Sequence, residues 1–307
     1  MKTRLITLLV GLILPLASSF AGETRVTAAG GPTVIGMSVP YLPYPLFRDM
    51  ANEAEQEAKR LGAKVEVADA NWQYAKQLAD INGFVKEHVA GILLAPKTGD
   101  AFGPAIEAAV KAGIPVVTVD ARANTDKMLL HVAADSVEIG RVAARYIIES
   151  LGNHGSVIEI EGLSGTSPAI DRKAGFEEVI RDSNVTILAS ETAGWERSKA
   201  QSVMKALLRR FPDFDAVFAA NDEMIIGAIE AMSSAGIVPG SKVTVGVDAG
   251  PDAFKYMKAG KLSATIDPSG VKQAVQALQY LVDHIKNGTM PPQQVILITP
   301  ELVTRAP

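Results

Sequence analysis

Short apolar runs alternate with helical patterns from about residue 33 to about residue 287, and this alternation limits the possible folds more than any other feature of the chain. Thr33 to Ser38 (TVIGMS), Lys64 to Ala68, Gly91 to Ala95 (GILLA) and Pro115 to Val119 (PVVTV) read as strands. Leu46, Phe47, Met50, Ala51, Ala54, Ala58 and Leu61 recur at helical spacing and stop at Gly62, a residue suited to end a helix. Ala75, Leu78, Ile81, Phe84 and Val85 form a second stripe, and 101–112 a third helix. The rhythm resumes with a strand at 129–133, helix 136–151, strand 156–160, helix 169–182, strand 185–190 and helix 196–210. Strand 215–219, helix 222–235, strand 242–247, helix 250–259, a strand near 262–266 and a long helix at about 270–287 complete it. Continuous apolar strands separated by helices signal parallel sheets covered on both faces. One open sheet rarely exceeds ~10 strands, so the expected architecture is α/β with two doubly wound lobes. No Ser/Pro-rich linker separates two consecutive halves, which points to several crossings between the lobes.

The chain of 307 residues opens with MKTRLITLLVGLILPLASSFAGE. Lys2 and Arg4 make a positive start, Leu5 to Leu16 an apolar run, and Ser19-Phe20-Ala21 a small-x-small cleavage signal, so residues 1–21 are expected to be a signal peptide. The apolar run is shorter than the ~20 residues a spanning helix needs. Cleavage after Ala21 leaves 286 residues for export, which the resemblance given below places in the periplasm, and moves the formal charge from -4 to about -6. With no basic tract, nucleic acid is not an expected partner. The chain has no cysteine, which excludes thiol nucleophiles, disulfides, iron–sulfur clusters and Cys-ligated zinc. His88, His131, His154 and His284 are scattered without metal-ligand spacing, and Gly-rich phosphate loops are absent, so neither a metal nor a cofactor is expected. Glu159 and Glu161 share one strand face without a second catalytic group, and Gly162-Leu163-Ser164-Gly165 lacks nucleophile-elbow spacing, so no enzyme is expected.

Ligands of open parallel sheets bind beyond the carboxyl ends of the strands. Polar residues follow apolar runs there at Ser38, Asp120, Asn221 and Asp248. Each is also a residue type that caps a helix N-terminus, so capping and ligand binding both stand as readings of any one of them.

With those strand ends in view, the chain resembles the periplasmic sugar-binding proteins of ABC importers, of the ribose-binding type. The likeness rests on GIPVVTVD (113–120), HVAADSVEIGRVAARYI (131–147), IEGLSGTSPAIDRKAGF (160–176), VFAANDEMIIGAIEAM (217–232) and VGVDAGPDAFKYMKAGKLSATI (245–266). The resemblance implies two lobes joined by a three-strand hinge near 133–135, 267–269 and 297–298. The N-terminal lobe would take 32–134 plus 269–297, and the C-terminal lobe 135–268 plus 298–307. It implies that Asp120 and Asp248 accept from sugar hydroxyls, that Arg172 and Asn221 donate from the second lobe, and that Trp195 packs on the ring. Ser38, Tyr41 and Tyr44 correspond to the first-lobe loop, with Tyr44 as the opposing aromatic wall. Arg122 and Asp267 stand near the positions of a guanidinium and a hinge amide. Trp72, after the second strand, is read as packing in the core or at the rim.

Three departures bear on the ligand. The arginine expected directly after the first aspartate is Ala121, with Arg122 one place on; Val247 replaces an aromatic, and Ile266-Asp267-Pro268 replaces the hinge glutamine. These argue against ribose and leave another pentose, a hexose, a deoxy sugar or a polyol. The implied partner is a membrane ABC permease, with a chemoreceptor or sensor kinase as the alternative recipient, and the chain is expected to be a monomer.

Overall fold

The computed structural model describes residues 33–99 and 101–307, so the expected signal peptide lies outside the described residues. The chain begins β1 (Thr33–Val39), α1 (Pro45–Arg60), β2 (Ala63–Asp69), α2 (Tyr74–Lys86), β3 (Gly91–Leu94), α3 (Gly103–Lys111), β4 (Val116–Val119) and β5 (Leu130–Ala134). It continues with α4 (Ser136–Ser150), β6 (Gly155–Glu161), α5 (Ser167–Arg181), β7 (Val185–Thr192), α6 (Arg197–Arg210), β8 (Ala216–Ala219), α7 (Asp222–Ser234) and β9 (Val243–Val245). It ends with α8 (Pro251–Lys258), β10 (Thr265–Asp267), α9 (Gly270–Asn287), β11 (Val295–Ile298) and β12 (Glu301–Val303).

A six-stranded parallel sheet runs in the order β11-β5-β4-β3-β1-β2, and a four-stranded parallel sheet in the order β7-β6-β8-β9. β10 and β12 pair antiparallel, and a bridge from Val245 to Ala264 leads toward the second sheet. Both faces of each sheet are covered, as continuous apolar strands require. Ile35, Met37, Val117 and Val132 pack with α1 and α9 on one face of the first sheet, and Ile92, Leu94 and Val116 with α2 and α3 on the other. The second sheet has α4 and α5 against Val157, Phe218 and Val245, and α6 and α7 against Ile158, Val217 and Ala219. The chain leaves the first sheet after β5, returns to it in α9, and leaves again between β11 and β12.

Two strands lie beyond the expected pattern. β11 is an edge strand whose Val295 and Leu297 remain 46% and 53% exposed, and β12 has only three residues, so neither shows the burial that apolar patterning reports. Helices α4 and α5 touch through glycine. A Cβ on Gly140 would stand 2.0 Å from the Arg172 carbonyl oxygen, and one on Gly175 2.0 Å from that of Val137. This contact sets the position of the Arg172 backbone.

Candidate functional site

The carboxyl ends of β4, β8 and β9 place Asp120, Asn221 and Asp248 around a cavity that also takes residues from the loop after β1 and from α1 and α5. Its walls include Pro40, Tyr44, Leu46, Phe47, Trp72, Pro96 and Lys97 from the first sheet's side, with Asp120 and Ala121. Thr166, Pro168, Arg172, Trp195, Asn221 and Asp248 come from the second sheet's side. The cavity holds about 480 Å³ of empty space, including space open to solvent.

Four of these residues have left-handed backbone: Trp72 (φ 56°), Asp120 (φ 64°), Trp195 (φ 73°) and Asp248 (φ 114°). Such conformations cost on the order of 1–3 kcal/mol each and collect at functional sites, where surrounding structure holds them. Asp222 is part of that restraint at Asp248. It is buried, accepts from the Gly250 amide at 2.9 Å and the Thr265 hydroxyl at 2.7 Å, and so fixes the loop carrying Asp248.

Among the described residues, the Asp120 side chain accepts no hydrogen bond; its backbone amide alone is tied, to Val132 O at 3.2 Å. Burial pushes its carboxyl up to about 6, with Arg172 pulling the other way. Burial raises Asp248 too, again opposed by Arg172, and raises Asp222, with the Asp248 charge adding to the effect. Arg172 is 3% exposed and donates to the Ala220 carbonyl at 2.5 Å, while its Nε is buried without a partner. Its guanidinium lies over the Trp195 ring at 5.6 Å. Buried polar groups are normally satisfied, so the buried, unmatched Arg172 Nε, with the unbonded Asp120 carboxylate on the same cavity, marks where a ligand's own polar groups belong.

The chain's two tryptophans both line this cavity. Trp72 is braced by Tyr41, stacked at 5.8 Å, and by Phe47, edge-on at 6.3 Å. Trp195 lies directly against Gly162, where a Cβ would come within 2.0 Å of the indole. Gly162→Ala is therefore expected to displace Trp195 and shift its emission in the ligand-free protein, read in a Trp72→Phe background. Unchanged emission would show that the ring is not held by this contact.

The fold brings six of the expected site residues to the cavity: Tyr44, Asp120, Arg172, Trp195, Asn221 and Asp248. Four others lie elsewhere. Ser38 is fully buried on the α2 face of β1, where its hydroxyl donates to Asp80 at 3.1 Å. Tyr41 stands behind Trp72 rather than on the cavity wall. Arg122 turns outward to pair with Asp171, with one guanidinium nitrogen at 3.0 Å, while its amide donates to the Ser167 hydroxyl at 2.8 Å. Asp267 accepts from the Ser269 amide at 2.6 Å and lines a neighbouring cavity. Tyr44 is more than an aromatic wall: its hydroxyl donates to Asp248 and accepts from the Asn221 amide at 2.9 Å. Asn221 also caps α7 through Met224 N at 2.9 Å, so capping and cavity lining are one role. Trp72 lines the cavity as well as packing at its rim. Lys97, whose ammonium donates to the Trp72 carbonyl, was not singled out from the sequence; its signal was a cation directly after the β3 run GILLAP.

Residues 35–289 match the family model of the periplasmic binding protein domain. The chain belongs to that family. It is 37% identical over 252 residues to the ribose import binding protein of Salmonella typhimurium, covering 82% of this chain and 84% of that one. The D-allose-binding periplasmic protein of Escherichia coli is 30% identical over 295 residues, covering 92% and 91%. Among solved structures, the arabinose ABC transporter binding protein of Shewanella, bound to L-arabinofuranose, superposes with a TM-score of 0.84 at 30% identity, over 89% of this chain and 92% of that one. These relatives are solute-binding transport proteins. In this periplasmic binding protein, as in the fold it shares with them, two parallel-sheet lobes face each other across the cavity. No helix among the described residues is long and apolar enough to cross a membrane.

Proposed function

We propose that this protein captures a single sugar or polyol between its two sheets in the periplasm and delivers it to the permease of an ABC importer. The observation that carries this reading is the buried, unmatched Arg172 Nε on a cavity walled by two indoles, with an Asp120 carboxylate that accepts no hydrogen bond among the described residues on the same cavity. A sugar hydroxyl both donates and accepts, so one molecule can satisfy both groups while its C–H faces lie against the rings. Charge-assisted bonds of this kind are stronger than neutral ones. Polar groups left unpaired on closure cost ~1–3 kcal/mol each, which supplies discrimination among similar sugars. The three passages between the sheets act as the hinge, and the ligand stabilises the closed arrangement by bridging both sides. Binding without turnover is the accompanying inference, and it rests on the relatives being import and solute-binding proteins.

Thermal melting against a panel of pentoses, hexoses, deoxy sugars and polyols tests the reading. A true ligand at a hundredfold excess over Kd adds about 2.7 kcal/mol of stability; a panel in which nothing shifts the transition overturns it.

Binding is also expected to depend on pH through Asp120. Ligand hydroxyls favour the ionised carboxylate, so affinity is greatest above pH 7 and Kd rises as pH falls through about 6, by up to about tenfold per unit for one proton. The empty protein has the opposite sign. Its folded-state pKa is raised, so this group's contribution to stability is present at acid pH and lost as pH rises through about 6. Calorimetric titration between about pH 5 and 8 checks the first, and melting of the empty protein between about pH 4 and 7 checks the second. An affinity flat across that range would remove Asp120 as the titrating acceptor.

A further inference from the structure

A second cavity lies beside the first, and the two share Tyr44, Leu46 and Asp248 as a common wall. It holds about 1540 Å³ of empty space, including space open to solvent, and extends along Asp267, Ser269 and Lys272. Tyr44 stands at the start of α1 on the first sheet's side, whereas Asp248 and Asn221 belong to the second. The Tyr44 hydroxyl donates to Asp248 and accepts from Asn221 at 2.9 Å, so the phenol spans the gap between the sheets. In doing so it occupies the Asp248 oxygen and the Asn221 donor that a longer ligand reaching past Asp120 would need.

Resting on the binding reading above, we infer that Tyr44 is a partition that sets the length of the ligand. Its ring closes the Asp120–Arg172–Trp195 compartment against the larger cavity, and its hydroxyl stands in for a sugar hydroxyl between Asp248 and Asn221. The compartment left to the ligand is the smaller of the two cavities, and a second sugar unit is excluded by the phenol rather than by lack of space behind it. Burial first, and then the Asp248 carboxylate, raise the phenol's pKa well above its ordinary value, so the hydroxyl keeps its proton and remains a donor across physiological pH.

The experiment compares wild type, Tyr44→Ala and Tyr44→Asn by thermal melting and calorimetric titration, against monosaccharides, polyols and a set of disaccharides. Tyr44→Asn removes the ring but puts a favoured N-cap residue at the start of α1, so it remains informative where Tyr44→Ala does not fold. Wild type is expected to respond to a monosaccharide or polyol and to no disaccharide. Each variant is expected to raise the ratio of disaccharide to monosaccharide affinity by at least about tenfold, the scale on which one pocket group discriminates. Wild type binding a disaccharide as well as its monosaccharide would overturn the partition. So would variants that bind the monosaccharide with wild-type selectivity. If no sugar or polyol shifts wild type or either variant, the binding reading itself has failed, and that result is distinct from a failure of the partition alone.

Discussion

Replacing Asp120 by alanine is expected to weaken binding of the cognate sugar by at least about a hundredfold while leaving the empty protein folded. A carboxylate accepting from two hydroxyls makes two charge-assisted bonds at ~1.5–3 kcal/mol each, and 1.4 kcal/mol is a factor of ten. Alanine removes both and leaves the ligand's hydroxyls facing apolar wall and Arg172. The empty protein loses little, because the Asp120 side chain holds no hydrogen bond among the described residues. Its ionised form is disfavoured by burial, so the substitution is expected to raise the melting temperature of the ligand-free protein slightly above pH 6. Titration calorimetry and melting of the same preparation separate the two effects. An Asp120→Ala protein that binds within about threefold of wild type would place recognition elsewhere, since a loss of under ~1 kcal/mol is less than one such bond.

The largest expected loss of stability comes from a single methyl group. Gly140→Ala would put a Cβ 2.0 Å from the Arg172 carbonyl oxygen and 2.6 Å from the Phe176 amide nitrogen, both backbone atoms of the facing helix. Backbone cannot rotate aside, so α4 and α5 must separate. Overpacking of this kind typically costs about 1–3 kcal/mol and occasionally more, against a gain of roughly 0.5–1 kcal/mol in helix propensity. The expected net result is a loss of about 1–2 kcal/mol, read from the midpoint of urea unfolding. Binding should weaken too, because α5 carries Arg172 into the cavity. A protein stabilised by the propensity gain alone would show that the helices are not in such close contact.

Much of the fold is legible in the alternation of strands and helices, because both faces of each parallel sheet are buried and the strands read as unbroken apolar runs. Asp120, Asn221 and Asp248 are legible for a related reason: parallel strands deliver their last residues to one edge. The same rule misplaces Ser38. It follows the same kind of run, but it is still within β1 and faces α2, where Asp80 accepts its proton. Arg122 is displaced because it stands two places after Asp120 rather than one, and its guanidinium turns outward to Asp171. β11 and β12 stay hidden because edge strands leave apolar side chains exposed. The Tyr44 contacts could not be read at all. They join residues 204 and 177 positions apart, and they depend on how the two sheets face each other. The left-handed backbone at Trp72, Asp120, Trp195 and Asp248 likewise has no mark in residue type, since none is glycine.

The central claim is that one sugar or polyol is held between the sheets by Asp120 and Arg172. The most direct test is a crystal structure of the protein with the panel member that shifts its melting most. The account predicts a hydroxyl within hydrogen-bond distance of the Asp120 carboxylate, a ligand oxygen on Arg172 Nε, and Trp195 against a C–H face. A ligand bound only in the cavity beyond Tyr44, with Asp120 and Arg172 Nε still unmatched, would contradict it.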